Sequence, residues 1–311
     1  ITSGPSLNGN SVSGPADGER QVRDQHSAGY DFLKIHPGLT AAEYRAIANT
    51  ANELGMPFAG HVPVPVGLDG VFAAGMATID HLDGYMAALM PAEIDRSGGY
   101  GGFFDVLLAD QVREDLIDDV VAATVAAGTW NVPTQSLIEQ LVNEVSITEL
   151  SNRPENRYMP RETVERWAAA KENQLKERGF TPEIGARAIE IRRMLILALH
   201  EAGAGLLLGS DAPQIFNVPG FAVHHELGFL VAAGLSPFEA LQTGTTAPAA
   251  FLGIGFVTFP LWLSVGLPSM VGFTLGAFRG TRPIAAGLAT GTSAYLLHAA
   301  ATGAVAPSWL P

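Results

Sequence analysis

The chain has no cysteine in its 311 residues. Disulfides and thiolate metal sites are therefore excluded, and any metal must be held by imidazole, carboxylate or a modified side chain. Positive charge is scarce too: 18 Lys and Arg stand against 31 Asp and Glu, a formal net charge of −13. That balance argues against nucleic acid, or an anionic membrane, as the partner of the charged part of the chain. No basic-then-apolar leader opens the sequence. It begins at Ile1 in a polar, turn-rich stretch, ITSGPSLNGNSVSGP, expected to be a loop entered in mid-fold, in a processed or incomplete chain. Internal repeats are lacking. Charge then nearly vanishes: beyond Glu239 the only charged residues are Arg279 and Arg282. Two regimes follow, a charged part to about 253 and an apolar part over 254–311.

What the charged part does have is alternating strand and helix signals. Short apolar runs cover Tyr30 to His36, Met56 to His61, Met76 to His81, Thr129 to Thr134 and Leu206 to Gly209. Between them, Thr40-Ala-Ala-Glu43 is a capping box opening a helix that runs to Gly55, and Ser236-Pro-Phe-Glu239 is a second one with Pro at the first helical position. A short helix is predicted near Leu68 to Ala74 and an amphipathic one over Glu114 to Ala127. The order βαβα predicts an α/β fold with a parallel sheet and covering helices. Over about 135–203 the pattern changes to two charged helices, 161–178 and 182–202. They are expected to form either a lid or substrate-specificity element, or a peripheral pair with only a packing role.

Polar residues end four of the strand-like runs: Lys34 in DFLKIH, His61 in PFAGHVP, His81 in ATIDHLDG and Asp211 in LLLGSDAP. Strand alternation puts Phe32, Lys34 and His36 on one face. A buried Lys34 then needs an anionic partner, a metal-bridging role or solvent, because an unpaired ammonium is costly to bury. His61 and His81 lie one βα unit apart, with Asp80 and Asp83 placed to orient the rings. Imidazole suits Zn, Fe, Ni or Mn ions. Asp211 can ligate a metal, act as a general base, or simply cap a following turn. A Schiff-base role for Lys34 is a further alternative.

These segments, KIH, AGHVP, TIDHLDGY and GSDAP, followed by HHELGFLVAAGLSPFEALQTGTTAPAAFLG, resemble the amidohydrolase superfamily on its imidazolonepropionase/prolidase-like branch. The resemblance covers about 1–253 and is most specific from Ala233 to Gly253. It implies a (β/α)8 TIM-like barrel with one or two divalent ions, zinc first among them, at the strand C-termini. By position, Lys34 matches the strand-4 lysine, often carbamylated to bridge two metals. His61 and His81 match the strand-5 and strand-6 ligands of the more exposed metal. Asp211 matches the strand-8 aspartate, which ligates the buried metal and shuttles a proton from the nucleophilic water to the leaving amine. His224 and His225 match no motif; they are candidates for substrate contact, or ordinary helix-surface residues.

Two departures qualify the resemblance. The family's strand-1 His-x-His is absent, so the chain is expected to supply about strands 3–8 of an incomplete barrel in 1–253, with 135–203 as an insertion. After Gly253 the sequence is unlike the family. Phe256 to Phe278 is long enough to span a bilayer, and 284–305 is a second, weaker run. The tail 254–311 is then either a membrane hairpin, with the arginine pair on the cytoplasmic side, or a segment foreign to this fold. The function expected is hydrolysis of an amide, peptide-like or cyclic amide C–N bond in a small molecule or short peptide, by a monomer or homo-oligomer whose barrel is cytoplasmic. The alternative is an inactive, truncated remnant with a membrane-associated tail.

Overall fold

Strands of three residues carry the architecture. The computed structural model describes residues 2–91 and 101–253. By contacts the chain divides into Ile1–Ala247 and Pro248–Pro311. The expected membrane hairpin within 256–305 lies outside the described residues. Among the described residues, no helix is long and apolar enough to cross a membrane.

The first unit contains β1 (Leu33–Ile35), β2 (Phe58–Gly60), β3 (Thr78–Asp80) and β4 (Trp130–Val132), hydrogen-bonded in that order and all parallel. Single parallel bridges extend the array at both ends: Ser3 to Phe32 and Leu7 to Ile35 on one side, Asn131 to Leu206 on the other. Six consecutive parallel segments with helical crossovers are an α/β arrangement of the kind that makes part of a TIM-like fold. The predicted strands were longer because apolar composition continues past the ladder, while pairing stops where the backbone turns into the loops. One expectation needs correction. The opening stretch is not merely a loop: Leu7 donates to the Lys34 carbonyl at 2.9 Å and its own carbonyl accepts from His36 at 2.9 Å. A polar turn-rich composition hid a single buried Leu7 that does the pairing.

The crossovers follow local chemistry. After α1 (Pro15–Ser27) and β1, α2 (Ala41–Leu54) starts at Thr40, whose hydroxyl accepts from Glu43 N while the Glu43 carboxylate accepts from Thr40 N. It stops at Gly55 in the left-handed conformation, at φ 66°. Its buried face, Tyr44, Ile47, Ala48 and Ala51, joins Leu33, Ile35 and Phe58 in the core. Each large side chain buried there contributes about 1.5–3 kcal/mol. Next come α3 (Gly67–Ala73), β3, α4 (Tyr85–Ala88), a 3-10 segment over Phe103–Gln111, α5 (Ile117–Ala127) and β4.

Beyond β4, α6 (Gln135–Val142) is buried at every position. Its ends are held from elsewhere. The Glu226 carboxylate accepts from Gln135 N at 2.9 Å and Ser136 N at 2.6 Å. At the other end the Lys171 ammonium donates to the carbonyls of Gln140 and Asn143 at 2.8 and 2.9 Å. An anion at the N-terminus and a cation at the C-terminus both complement the helix dipole. Glu226 comes from α10 (Phe221–Ala232) and Lys171 from α8 (Arg161–Leu175), which follows the short α7 (Ile147–Ser151). Between α8 and α10 runs α9 (Pro182–Glu201), capped by the Thr181 hydroxyl. The unit ends with α11 (Pro237–Thr243), opened by the predicted capping box at Ser236, and enters α12 (Thr246–Phe251).

Candidate functional site

His61 and His81 directly follow β2 and β3, Lys34 is the middle residue of β1, and Asp211 lies in the loop beyond the Leu206 bridge. Close strand approach places the first imidazole. Gly60 precedes His61 at φ 129°, and a Cβ on it would lie 2.2 Å from the Ile35 carbonyl oxygen. Only glycine lets β2 run this close to β1 and turn His61 over the array end. Three further turns use left-handed backbone at residues with side chains: His81 at φ 62°, Thr134 at φ 47° and Asp211 at φ 51°. Such backbone is uncommon outside glycine and tends to gather at functional sites.

The imidazoles form a row. The rings of His36 and His61 are 4.7 Å apart, and those of His61 and His81 are 4.6 Å apart. Each of the last two has one nitrogen committed. His61 Nδ1 donates to the Asp83 carboxylate at 2.6 Å. His81 Nδ1 lies 2.7 Å from the Thr134 hydroxyl, which itself donates to the Pro133 carbonyl at 2.8 Å. With that hydroxyl proton on the carbonyl, His81 is the donor and its Nε2 carries the lone pair. His81 Nε2 faces the Asp211 carboxylate at 3.8 Å. Burial first, then the neighbouring His61 and Lys34 charges, holds His81 well below the ordinary imidazole range. Burial likewise depresses His36 and raises the Asp211 carboxyl. Asp211 also accepts from the Gln214 amide.

Lys34 finds the anionic partner its position demands in Asp80, one strand over the array from β2. The side chain is a third exposed. His224 and His225 stand elsewhere, on α10, with His225 facing Glu155 at 3.5 Å. Neither lines the cleft described next.

The cleft holds about 1370 Å³ and is lined by His36, His61, His81, Asp83 and Asp211 among others. Phe104 closes one wall. Its ring stacks on His61 at 6.4 Å and tilts against His81 at 4.7 Å, on backbone at φ 54°. Beside it burial pushes the Asp105 carboxyl up to about 6, with the Asp83 charge adding to the effect.

As a donor set for a divalent ion these residues fit in kind. Two imidazoles keep Nδ1 occupied by a carboxylate or hydroxyl, the usual way a protein fixes a ligating ring, and a carboxylate stands opposite one Nε2. They are not drawn together: among the described residues no three His, Asp or Glu side chains converge tightly enough to hold a metal.

Solved structures similar to the chain include the bottromycin amidohydrolase, 26% identical, covering 78% of this chain and 51% of its own, with a TM-score of 0.56. A Xaa-Pro dipeptidase with bound methionine in the active site is 20% identical over 78% of this chain and 48% of its own, at 0.45. The A. niger ochratoxinase is 16% identical over 77% and 43%, at 0.43. Its structural neighbours are amidohydrolases and prolidases. The chain spans about half the length of these structures. No protein-family model matches the sequence, and no curated protein matches it.

Asp83, expected to orient a ring, does so at His61. Two residues of the site were missed: Thr134, at the end of its apolar run, and Arg192. Arg192, fully buried on α9, donates to the His81 carbonyl at 2.6 Å, the Pro133 carbonyl at 2.8 Å and the Gln135 side chain at 2.9 Å. One clue was available: Arg192 lies four residues after Ala188 and four before Ile196, on the apolar stripe of its helix.

Proposed function

We propose that the cleft belongs to a metal-dependent hydrolase that cleaves an amide, peptide-like or cyclic amide C–N bond. The observation that carries this reading is the pair His61 and His81, each with Nδ1 tied down and Nε2 left for the cleft that Asp211 also lines. His61, His81 and Asp211 would hold the ion, with Lys34 beside them. When bound, a divalent ion supplies Lewis acidity toward the amide carbonyl and the attacking water. Asp83 and Thr134 keep the two rings oriented. Asp211 takes the proton of the attacking water and returns it to the departing nitrogen, a task suited to a carboxyl whose affinity for a proton is raised by burial. The apolar walls at Leu68, Leu107 and Phe104 exclude water around the scissile bond and receive an apolar substrate portion. The likeness to a bottromycin amidohydrolase supports an amide bond as the target.

The open spacing of the candidate ligands favours a second reading, a non-catalytic barrel remnant. Metal analysis of the purified chain separates the two. One or two equivalents of zinc, lost in His61→Ala and His81→Ala, with hydrolysis of N-acyl amino acids or Xaa-Pro peptides, supports the enzyme. Metal content that is unchanged in both variants refutes the ligand assignment.

A further inference from the structure

Arg192 is the largest fully buried side chain of the described residues. The mechanism above does not use it. Burying a guanidinium is expensive unless its donors are satisfied, and here the acceptors are specific. Nη1 takes the carbonyl of His81, a residue on left-handed backbone. Nη2 takes the carbonyl of Pro133, the same oxygen that accepts the Thr134 hydroxyl proton. Nε takes the Gln135 side chain, at the start of α6. The arginine therefore touches both ends of one chain of hydrogen bonds: Pro133 carbonyl, Thr134 hydroxyl, His81 Nδ1 and, through the backbone, His81 itself.

The consequence concerns the tautomer of His81. The Thr134 hydroxyl accepts from His81 only while its own proton is committed to Pro133. That commitment depends on where the Pro133 carbonyl points. An arginine fork is planar and presents its donors in a fixed geometry, so it sets the two carbonyls relative to each other. We propose that Arg192 is a positioning residue: by gripping the carbonyls of His81 and Pro133 it holds His81 in the Nδ1–H form, with the Nε2 lone pair turned into the cleft. This deepens the hydrolase reading, since a ligating or proton-accepting Nε2 requires that tautomer, but the tautomer itself is measurable without any reaction.

The test is nitrogen-15 NMR of the histidine side chains in the full chain without metal, at neutral pH. In the native chain His81 is expected to show a pyrrole-type Nδ1 and a pyridine-type Nε2. In Arg192→Met the Nε2 resonance is expected to move toward the pyrrole type as the tautomers mix. His61, anchored by Asp83 and not by Arg192, should stay unchanged. Arg192→Lys, which reaches one carbonyl but cannot fork, should give an intermediate shift. Thr134→Val removes the same relay without touching the buried arginine, and should reproduce the His81 shift even where Arg192→Met fails to fold. A native chain already in the Nε2–H form overturns the proposal. So does a lowered melting temperature in Arg192→Met or Arg192→Lys with an unchanged His81 signal, which would make the arginine structural only. Absence of hydrolysis in the native chain together with the expected NMR shifts would refute the hydrolase reading and leave this one standing.

Discussion

At the scale of residues, the site depends on a few atoms placed by backbone that tolerates no substitute. Gly60 is the sharpest case. Gly60→Ala would drive a methyl group into the Ile35 carbonyl on backbone at φ 129°, so a loss of at least about 2 kcal/mol is expected from urea unfolding. The same change should weaken zinc retention more than a substitution of equal cost far from His61. Asp211→Asn keeps the shape but cannot carry a proton. It is expected to lower turnover of a cleaved amide by about 10²–10⁴-fold, with unfolding midpoint nearly unchanged. Lys34, His61, His81 and Asp211 were visible in the sequence because a polar residue closing an apolar run is conspicuous. Asp83 was visible too, as a carboxylate beside His81 able to orient a ring, and it holds His61; the other partners were not. Thr134 closes an apolar run with nothing to mark its bond to His81, and Arg192 beside Arg193 reads as surface charge, although Arg193 pairs with Glu139 while Arg192 is buried. Lys34 shows what a sequence leaves open: an anionic partner was one of three solutions, and the fold brings up Asp80, 46 residues away.

At the scale of elements, helices with their own caps were legible and those capped from outside were not. Both capping boxes, at Thr40 and Ser236, lie within four consecutive residues and give α2 and α11 their starts. Helix α6 has no side-chain cap of its own and depends on Glu226 and Lys171, 91 and 31 residues distant from their partners. Burial pushes Glu226 up to about 7, against lowering by Ser136, Gln135 and Arg192. A carboxyl whose folded pKa is raised favours the folded state fully below its unfolded value of about 4.5, and that contribution is lost as pH rises through 7. The loss amounts to about 3 kcal/mol at 1.4 kcal/mol per unit. Unfolding free energies measured at several pH values should therefore fall less steeply between 4.5 and 7 in Glu226→Gln than in the native chain. Parallel curves would show that Glu226 does not titrate in that window. Lys171→Met leaves two carbonyls and the Asn143 side chain without their donor, and is expected to cost about 2 kcal/mol.

At the scale of the whole molecule, the α/β class and the parallel order were readable from alternation alone, while the first pairing segment was not, because one buried leucine among polar residues leaves no period. The long excursion after β4 bears on how the protein opens. If α9 moves as a lid, its amides should exchange with deuterium faster than those of the sheet. The Arg192 bonds to β3 and β4 turns instead lead us to expect Ile191 to Leu199 to exchange as slowly as Ala77, Trp130 and Leu207. Faster exchange across α9 alone would establish independent opening. The double clamp on α6 has a consequence for anyone who would recombine this protein with a relative. A crossover placed between α6 and α8 separates the helix from both Lys171 and Glu226, and one between α8 and α10 separates it from Glu226. Chimaeras cut before Trp130 or after Ala232 should inherit the helix with both clamps, and those joined between Asn143 and Arg161 should arrive with neither native clamp.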